Sequence, residues 1–282
     1  MIRLYNIDHF DLEKTFLCGQ CFRWEKDSSG VFYGVVKNYA VKAYYHDENT
    51  IYIESSNPDL VYWSHYLNFS CDYNKAEKNL SKSEKLIPSI EAGRGIRILR
   101  QDLWETIVSF IISANNNIPR IKKIINRLCE LYGERIEFDG RVFYGFPDPE
   151  TLAVLDVTDL AEIRAGFRDK YIIDAAKKVV SGEVNLDMIP RLNNKSAKAE
   201  LMKIKGVGGK VADCVLLFSL GRHNVFPLDV WTKRILINLY GISEKEIPEF
   251  IHSKFGHNAG IAQQYLYNYY AIEKNSLDEI SG

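Results

Sequence analysis

The stretch LMKIKGVGGKVADC, residues 201–214, decides the interpretation of this chain. Gly206, Gly208 and Gly209 lie between two segments of helical texture, and glycine lets a backbone turn tightly and approach a ligand closely. A helix beginning near Lys210 would leave free N–H groups and the positive end of its dipole facing outward, which suits a nucleic-acid phosphate. The flanking lysines favour a helix-hairpin-helix element at about residues 197–220 over the alternative, a glycine cap between two helices.

A second stretch, FPLDV at residues 226–230, adds a carboxylate. Pro227 ends an extended entry, and Asp229 lies where the next helix is predicted to begin. An aspartate there fits an ordinary helix N-cap, worth about 1 kcal/mol, and that role is compatible with a catalytic one. Together the two stretches predict an amine, on Lys210, and a carboxylate, on Asp229, at the starts of two adjacent helices.

The composition narrows the class of protein around these two stretches. The chain has 282 residues, of which 46% are hydrophobic and 26% are charged, so it is neither disordered nor fibrous. No apolar run reaches the ~18 residues of a membrane span, and the N-terminus lacks an apolar signal core. Five cysteines do not form a disulfide framework. We expect a soluble protein of a reducing compartment, without membrane association.

Basic residues are concentrated in two regions, although the total of 36 basic and 37 acidic residues nearly cancels. Residues 93–129 contain seven basic and two acidic residues, and residues 191–237 contain nine basic and three acidic residues. The chain can therefore present a basic face to a polyanion, although charge alone is also explained by solvated helix faces.

Secondary-structure patterns predict an α+β chain. Residues 31–36, 39–45 and 51–53 are rich in β-branched and aromatic side chains, which is typical of an antiparallel meander. From about Gln101 apolar residues recur at helical spacing, first around Trp104 and Ile121. Further helices are predicted at residues 159–165, 170–181, 197–204, 210–220, 230–240, 246–254 and 259–272. We predict an N-terminal antiparallel β-rich domain over residues 1–92 and a mainly helical domain over residues 93–282.

Five segments, in order along the chain, carry a resemblance to a known enzyme family. They are CGQCFRW at residues 18–24, SANNNIPR at 113–120, GFR at 166–168, the hairpin at 201–214, and AGIAQQYLY at 259–267. On these segments the chain resembles the 8-oxoguanine DNA glycosylases of the helix-hairpin-helix superfamily over nearly its whole length. The resemblance implies a bifunctional repair enzyme without a cofactor. Such an enzyme flips 8-oxoguanine out of duplex DNA, excises it through a lysine Schiff base and nicks the strand as an AP lyase.

The resemblance also implies where and in what form the protein works. We expect a monomer that is intracellular and associated with DNA, in the cytoplasm or nucleoid of a prokaryote or in the nucleus of a eukaryote. Its partner would be double-stranded DNA that contains 8-oxoguanine.

The resemblance assigns the chemistry to Lys210 and Asp229. Lys210 would attack the sugar carbon of the flipped nucleotide, expel the base and form the Schiff base. Asp229 would stabilise the positive charge that develops on the sugar and help to move protons. The amine must be neutral to attack. Its helix N-terminus and nearby lysines lower its pKa, whereas Asp229 raises it, so the sequence leaves the net direction open. The alternative for Lys210 is a surface or phosphate-binding lysine.

Four residues would recognise the base. By resemblance, Cys214 and Tyr267 pack on its two faces and Gln263 hydrogen-bonds its edge. Cys214 lies at i+4 from Lys210, and Gln263 at i−4 from Tyr267, so each pair shares a helix face. Spacing alone favours two amphipathic helices that bury a cysteine and a tyrosine. The carbonyl of Gly19 would accept the N7–H of 8-oxoguanine and repel the N7 lone pair of guanine.

Further residues would contact the DNA around the flipped nucleotide. By resemblance, Asn115 fills the gap and Phe167 wedges into the stack beside it. Arg120 and Arg168 match the pair that hydrogen-bonds the opposite cytosine. The hairpin glycines would approach the DNA backbone. The run of asparagines around Asn115 is otherwise explained as a helix-breaking turn.

The sequence indicates no catalytic metal, because it contains no cluster of histidine, cysteine and carboxylate ligands. A structural cation that bridges to phosphate could be held by the hairpin carbonyls of Met202, Ile204 and Val207. Cys18 and Cys21 form one CxxC, which could be a redox pair or half of a zinc site, but the chain has no second CxxC.

Besides Tyr267, which stands where the family more often has phenylalanine, two positions depart from the family pattern, and two other functions stay open. Lys205 replaces the usual proline before the hairpin glycine, and Trp231 stands where relatives commonly have histidine. One alternative is a non-catalytic helix-hairpin-helix DNA-binding protein, and Lys210 with Asp229 argues against it. The other is a glycosylase for alkylated or mismatched bases. Lys210 argues against this one too, because the monofunctional relatives lack the hairpin lysine.

Overall fold

The computed structural model describes residues 1–273, and its N-terminal part is built on an antiparallel sheet. The sheet has five strands in the order β1-β5-β4-β3-β2. They are β1 (Ile2–Tyr5), β2 (Trp24–Lys26), β3 (Phe32–Val36), β4 (Tyr39–Asp47) and β5 (Thr50–Ser55). The predicted meander is confirmed as β3-β4-β5. The sequence does not predict the edge strands β1 and β2, because four and three residues are too few to show a period of two.

The N-terminal part also contains four short helices, which the sequence does not predict. They are α1 (Leu12–Leu17), α2 (Leu60–Tyr66), α3 (Tyr73–Leu80) and α4 (Ile87–Gly93). Under the sheet, the ring of Phe16 stacks on Trp24 with centroids 3.8 Å apart. The Trp24 indole N–H donates to the Tyr66 hydroxyl at 2.9 Å. α3 and α4 instead add Leu80 and Ile90 to the core of the helical part.

The remaining described residues, up to residue 273, are mainly helical, as predicted. Its helices are α5 (Leu103–Ser113), α6 (Ile118–Tyr132), α7 (Pro149–Ala153), α8 (Asp169–Val180), α9 (Asn194–Leu201), α10 (Gly209–Phe218), α11 (Val230–Tyr240), α12 (Ile247–Lys254) and α13 (Ala259–Tyr267). α13 continues as a π-helix over Asn268–Glu273. The segment predicted as a helix at 159–165 is a 3₁₀-helix over Asp159–Ile163, ended by the left-handed backbone of Arg164. Within residues 1–273 no helix is both long and apolar enough to cross a membrane.

A β-hairpin between α6 and α7, which the sequence does not predict, packs on the N-terminal sheet. It consists of β6 (Arg135–Phe138) and β7 (Arg141–Tyr144). Its turn residue Asp139 accepts a hydrogen bond from the Tyr33 hydroxyl at 2.9 Å and pairs with Lys42 at 2.9 Å. These contacts, and the packing of α3 and α4 on the helical part, join residues from both sides of residue 92. The domain boundary at residue 92 stays a prediction.

Candidate active site

The hairpin between α9 and α10 is shaped by its glycines. Gly206 has φ +86°, and a Cβ placed there would lie 2.5 Å from the Cδ2 atom of Tyr171. Only glycine fits such a position without moving the α8 side chain beneath it. Gly208 is the N-cap of α10, and no side chain caps that helix. The first-turn N–H groups of α10 therefore have no side-chain acceptor and are oriented for an anion.

Lys210 and Asp229 lie at the starts of α10 and α11, as the sequence predicts. α10 begins at Gly209, one residue before the predicted start. Asp229 is the N-cap of α11, where its Oδ1 accepts the N–H of Thr232 at 2.8 Å and the Thr232 hydroxyl at 3.0 Å. The ordinary capping role is therefore real. It also holds the carboxylate in one orientation at the wall of a cavity.

That cavity brings together the residues predicted for the chemistry and for base recognition. It has a volume of about 420 Å³ and lies between α5, α6, α10, α11, α13 and the loop after α1. The predicted site residues that line it are Gly19, Asn115, Lys210, Cys214, Asp229, Gln263 and Tyr267. Residues more than 240 positions apart in the chain thus share one surface, and the cavity mixes an amine, a carboxylate, a thiol and aromatic rings.

The surroundings of Lys210 give a direction for its pKa, which the sequence left open. Burial lowers the pKa of Lys210, but the Cys214 sulfur and the Asp229 carboxylate raise it by more, so the net pKa lies above that of a free lysine. Burial raises the pKa of Cys214 to about 11, which leaves a neutral thiol at pH 7. The Lys210 Nζ lies 5.5 Å from the centroid of the Phe110 ring. The resting amine is an ammonium and must lose a proton before it can attack.

The part of the cavity predicted to hold a base has an unused hydrogen-bond acceptor. Gln263 is buried, and its Oε1 has no hydrogen-bond partner within residues 1–273. A buried acceptor without a partner costs about 1–3 kcal/mol, which a ligand N–H would recover. Gly19 has φ +85°, and a Cβ there would lie 3.8 Å from the Cε1 atom of Tyr267 and 3.2 Å from the Cδ1 atom of Ile118. The Gly19 backbone therefore lies beside the Tyr267 ring.

The residues predicted to contact the opposite strand lie outside the cavity lining. Phe167 is exposed on a 3₁₀-turn, and the Arg168 guanidinium carbon lies 4.3 Å from the centroid of its ring. Arg120 is exposed in the first turn of α6. Burial lowers the pKa of Arg168 and the charge of nearby Arg120 lowers it further, so the two guanidinium groups are neighbours. Arg168 is buried, however, and it donates to the carbonyl oxygens of Ala114, Asn115 and Ala165.

The described residues offer no catalytic metal site. Within residues 1–273 no three His, Cys, Asp or Glu side chains are grouped so as to hold a metal ion. Cys18 and Cys21 are buried free thiols, and burial raises the pKa of Cys18 to about 11, which opposes redox chemistry. Among the hairpin carbonyls, that of Ile204 accepts the Val207 N–H at 3.1 Å. A carbonyl oxygen has a second lone pair, so this hydrogen bond leaves Ile204 able to bind a cation. The cation at Met202, Ile204 and Val207 stays a prediction.

Sequence reasoning missed several residues at the cavity. Phe110 and Phe218 line it, and their rings stack with centroids 5.4 Å apart. Trp231, noted from the sequence as a departure from the family pattern, also lines it, and the Arg234 guanidinium carbon lies 5.2 Å from the centroid of its ring. Gln264 lines it as well, and its Nε2 donates to the carbonyl oxygen of Cys18 in the loop after α1. An apolar ring on a helix has the same sequence signal whether it faces a core or a cavity, so these residues could not be found from periodicity.

Two models of DNA repair families match successive parts of the chain. The description "8-oxoguanine DNA glycosylase, N-terminal domain" matches residues 2–107, and "HhH-GPD superfamily base excision DNA repair protein" matches residues 108–256. The N-glycosylase/DNA lyase of Saccharomyces cerevisiae is 32% identical in an alignment 273 residues long. That alignment covers 85% of this chain and 72% of the yeast protein.

Solved structures resemble the whole chain. The structure described as MBOgg1 in complex with a low-affinity DNA ligand has a TM-score of 0.92 and 45% identity, and the match covers 97% of this chain and 96% of that one. The 8-oxoguanine glycosylase/lyase of Clostridium acetobutylicum, solved with double-stranded DNA containing cytosine opposite 8-oxoguanine, has a TM-score of 0.89 and 40% identity. That match covers 95% of this chain and 93% of the other.

Proposed function

The chain belongs to the 8-oxoguanine DNA glycosylases of the HhH-GPD superfamily of base excision DNA repair proteins, and from that premise we propose which residues carry the reaction. It is an N-glycosylase and DNA lyase that removes 8-oxoguanine from duplex DNA through a lysine Schiff base. The observation that carries the residue assignment is the shared cavity, in which Lys210, Asp229 and Gln263 border one space of about 420 Å³.

Lys210 is the nucleophile. After losing a proton, its Nζ attacks C1′ of the flipped nucleotide, and the electrons of the C1′–N9 bond leave with the base, which takes up a proton. Opening of the sugar ring then gives the C1′ imine and a hydroxyl at C4′. Loss of a C2′ proton from this imine expels the 3′ phosphate oxygen, which is the lyase step. Because its pKa lies above that of a free lysine, Lys210 needs a proton acceptor at the first step.

Asp229 stabilises the transition state through its charge. Cleavage of the C1′–N9 bond develops positive charge on the sugar, and a fixed carboxylate at the cavity wall offsets that charge. The same carboxylate is one of the groups that raise the Lys210 pKa. Its negative charge therefore favours both the ammonium at rest and the cationic sugar during the reaction.

Base recognition uses both sides of the cavity. Cys214 and Tyr267 pack on the faces of the base, and the unpaired Oε1 of Gln263 accepts an N–H from its edge. The Gly19 carbonyl meets N7, which carries a hydrogen in 8-oxoguanine and a lone pair in guanine. Donor facing acceptor is favourable, and acceptor facing acceptor is repulsive, so one backbone oxygen separates the two bases.

The DNA is held around this cavity by groups on several elements. Asn115 fills the gap in the helix, and Phe167 wedges into the stack. Arg120 and Arg168 read the opposite cytosine, for which Arg168 exchanges at least one of its carbonyl contacts for a cytosine acceptor. The amides at Gly206, Gly208 and Gly209 bind backbone phosphate. The carbonyls of Met202, Ile204 and Val207 would hold a cation, whose positive charge would attract the same phosphate. The enzyme works where the DNA is, which we take to be nucleoid or nucleus, as a monomer.

Base release from matched duplexes tests this function. Two duplexes differ only in 8-oxoguanine or guanine opposite cytosine, and free base is measured under single turnover. We expect 8-oxoguanine to be released and guanine to be retained, with a rate ratio of at least about 10⁴, since a site built for one hydrogen bond rejects an analogue that lacks it by that factor. Equal release of both bases, or preferential release of an alkylated base from a third duplex, would point to another substrate.

A further inference from the structure

The loop that carries Gly19 is fixed to α13 by one buried side chain. The Nε2 of Gln264 donates to the carbonyl oxygen of Cys18 at 3.2 Å. Gln264 and Cys18 are each only 2% exposed. The Cys18 carbonyl belongs to the same planar peptide group as the Gly19 nitrogen, so this hydrogen bond restricts the orientation of the backbone that enters Gly19.

A second glutamine holds the other side of the same loop. The Nε2 of Gln20 donates to the carbonyls of Thr15 at 2.8 Å and Arg97 at 2.7 Å, and its Oε1 accepts the Leu99 N–H at 2.9 Å. All of these partners belong to the N-terminal half of the chain. The hydrogen bond from Gln264, in contrast, ties the loop to the helix bearing Gln263 and Tyr267.

The Gly19 backbone is closely surrounded by residues that line the cavity, so a shift of Gly19 would change the shape of the cavity. Its φ of +85° and the 3.2 Å separation between an added Cβ and Ile118 describe a backbone in close contact with its surroundings. A hydrogen bond weakens steeply with angle and distance, so reading N7 through a carbonyl requires the loop to be fixed relative to the base. The base is itself located by side chains of α13. The loop must therefore keep a fixed position relative to α13, and the hydrogen bond from Gln264 to the Cys18 carbonyl oxygen fixes it.

We propose that Gln264 is a positioning residue for lesion recognition. By fixing the Cys18–Gly19 peptide relative to Gln263 and Tyr267, it sets how well the enzyme distinguishes 8-oxoguanine from guanine. This inference rests on the proposed function, in which the Gly19 carbonyl faces N7. Gln264 itself takes no part in the chemistry. An abasic site carries no base, so the reaction of Lys210 with an abasic duplex is independent of Gln264.

Two substitutions test the proposal. Gln264→Met keeps the length of the buried side chain and removes the donor, and Gln264→Glu replaces the donor with an acceptor that faces the Cys18 carbonyl. Binding to 8-oxoguanine and guanine duplexes is measured in a Lys210→Gln background, where the base stays attached. The ratio of the two Kd values should fall by about tenfold in Gln264→Met, as one hydrogen bond is worth roughly that factor, and further in Gln264→Glu.

Abasic DNA and a control variant separate positioning from general damage. Borohydride trapping on an abasic duplex, with Lys210 intact, should stay within about twofold of the unsubstituted protein for both variants, because a factor of two is under 0.5 kcal/mol. Gln101 donates to the Gln20 carbonyl at 2.7 Å, so Gln101→Met removes a bond to the same loop without touching α13. It should leave the Kd ratio unchanged.

Three results would overturn the proposal. The first is a Kd ratio that survives both Gln264 substitutions. The second is abasic trapping that falls as far as the ratio, which would mean that the whole site has collapsed. The third is an equal loss of the ratio in Gln101→Met. If the Lys210→Gln protein with Gln264 intact already binds the two duplexes equally, the proposed function itself fails, and that outcome is distinct from the other three.

Discussion

At the residue scale, Asp229 is the N-cap of α11 and, in the proposed mechanism, also stabilises the reacting sugar. The N-cap geometry requires only a side-chain oxygen for the Thr232 N–H, and asparagine supplies one as well as aspartate does. The charge is needed only for the reaction. Cap and catalyst can therefore be separated by a substitution that exchanges one oxygen for an amino group.

Asp229→Asn should lower single-turnover excision of 8-oxoguanine by about 10²–10³, the range for removing one electrostatic contact to a transition state. Its melting temperature should change little, because the cap is retained. Binding to lesion DNA should be kept or strengthened, since a negative charge near phosphate is removed. Rates are measured with enzyme in excess over duplex.

A matched control exists in α7. Asp148 is the N-cap of that helix and accepts the N–H of Thr151 at 2.8 Å, the same distance as the contact of Asp229 with Thr232. Asp148 does not line the cavity. Asp148→Asn should excise at the unsubstituted rate. If Asp229→Asn does the same, the carboxylate is only a cap and the catalytic assignment is wrong.

At the element scale, two segments carry the arginines that we propose to read the base left in the opposite strand. α6 has Asn117 as N-cap and exposes Arg120 one turn later. The 3₁₀-turn Gly166–Arg168 carries Arg168, whose pKa is lowered by burial and by the charge of Arg120. Guanidinium groups offer only donors. Cytosine presents O2 and N3 as acceptors, whereas adenine presents an N6 amino group next to N1, so donor would face donor.

We therefore expect 8-oxoguanine opposite cytosine to be excised about 10–100 times faster than opposite adenine, since one or two unpaired polar groups cost about 1–3 kcal/mol each. Arg120→Ala should reduce this preference. Single-turnover excision is compared on the two duplexes. Arg127→Ala is the control, because Arg127 lies on the same helix and pairs with Glu130 and Glu162 at the surface. Equal rates on both duplexes in the unsubstituted protein would show that these arginines do not read the partner base.

At the scale of the whole molecule, the site depends on contacts between distant parts of the chain, and this limits what the sequence could predict. The hairpin, the start of α11 and the fold class follow from local signals such as Gly206 and Asp229. Gly19 and Tyr267 were named through resemblance, but their proximity is a product of tertiary packing. Gln264 carries no local signal, since its role depends on a carbonyl 246 residues away. The net pKa direction of Lys210 likewise needed the positions of Cys214 and Asp229.

The 3₁₀-helix at Asp159–Ile163 illustrates the same limit within a local segment. Its apolar spacing fits an α-helix, but Arg164 adopts φ +58° and ends the segment early. Such a left-handed residue is uncommon outside glycine and asparagine, and nothing in an arginine announces it. The Arg164 carbonyl accepts a hydrogen bond from Arg120 at 3.4 Å, so tertiary contacts accompany this backbone.

Borohydride trapping of Lys210 tests the central claim most directly. Borohydride reduces a Schiff base to a stable amine, so a covalent protein–DNA adduct reports the imine itself. The unsubstituted protein and Lys205→Gln, which changes an exposed hairpin lysine, should both be trapped on an 8-oxoguanine duplex. Lys210→Gln should bind the same duplex and yield no adduct, because glutamine keeps the size and polarity of the side chain without the amine. An adduct of undiminished yield in Lys210→Gln would contradict the account and assign the nucleophile to another amine.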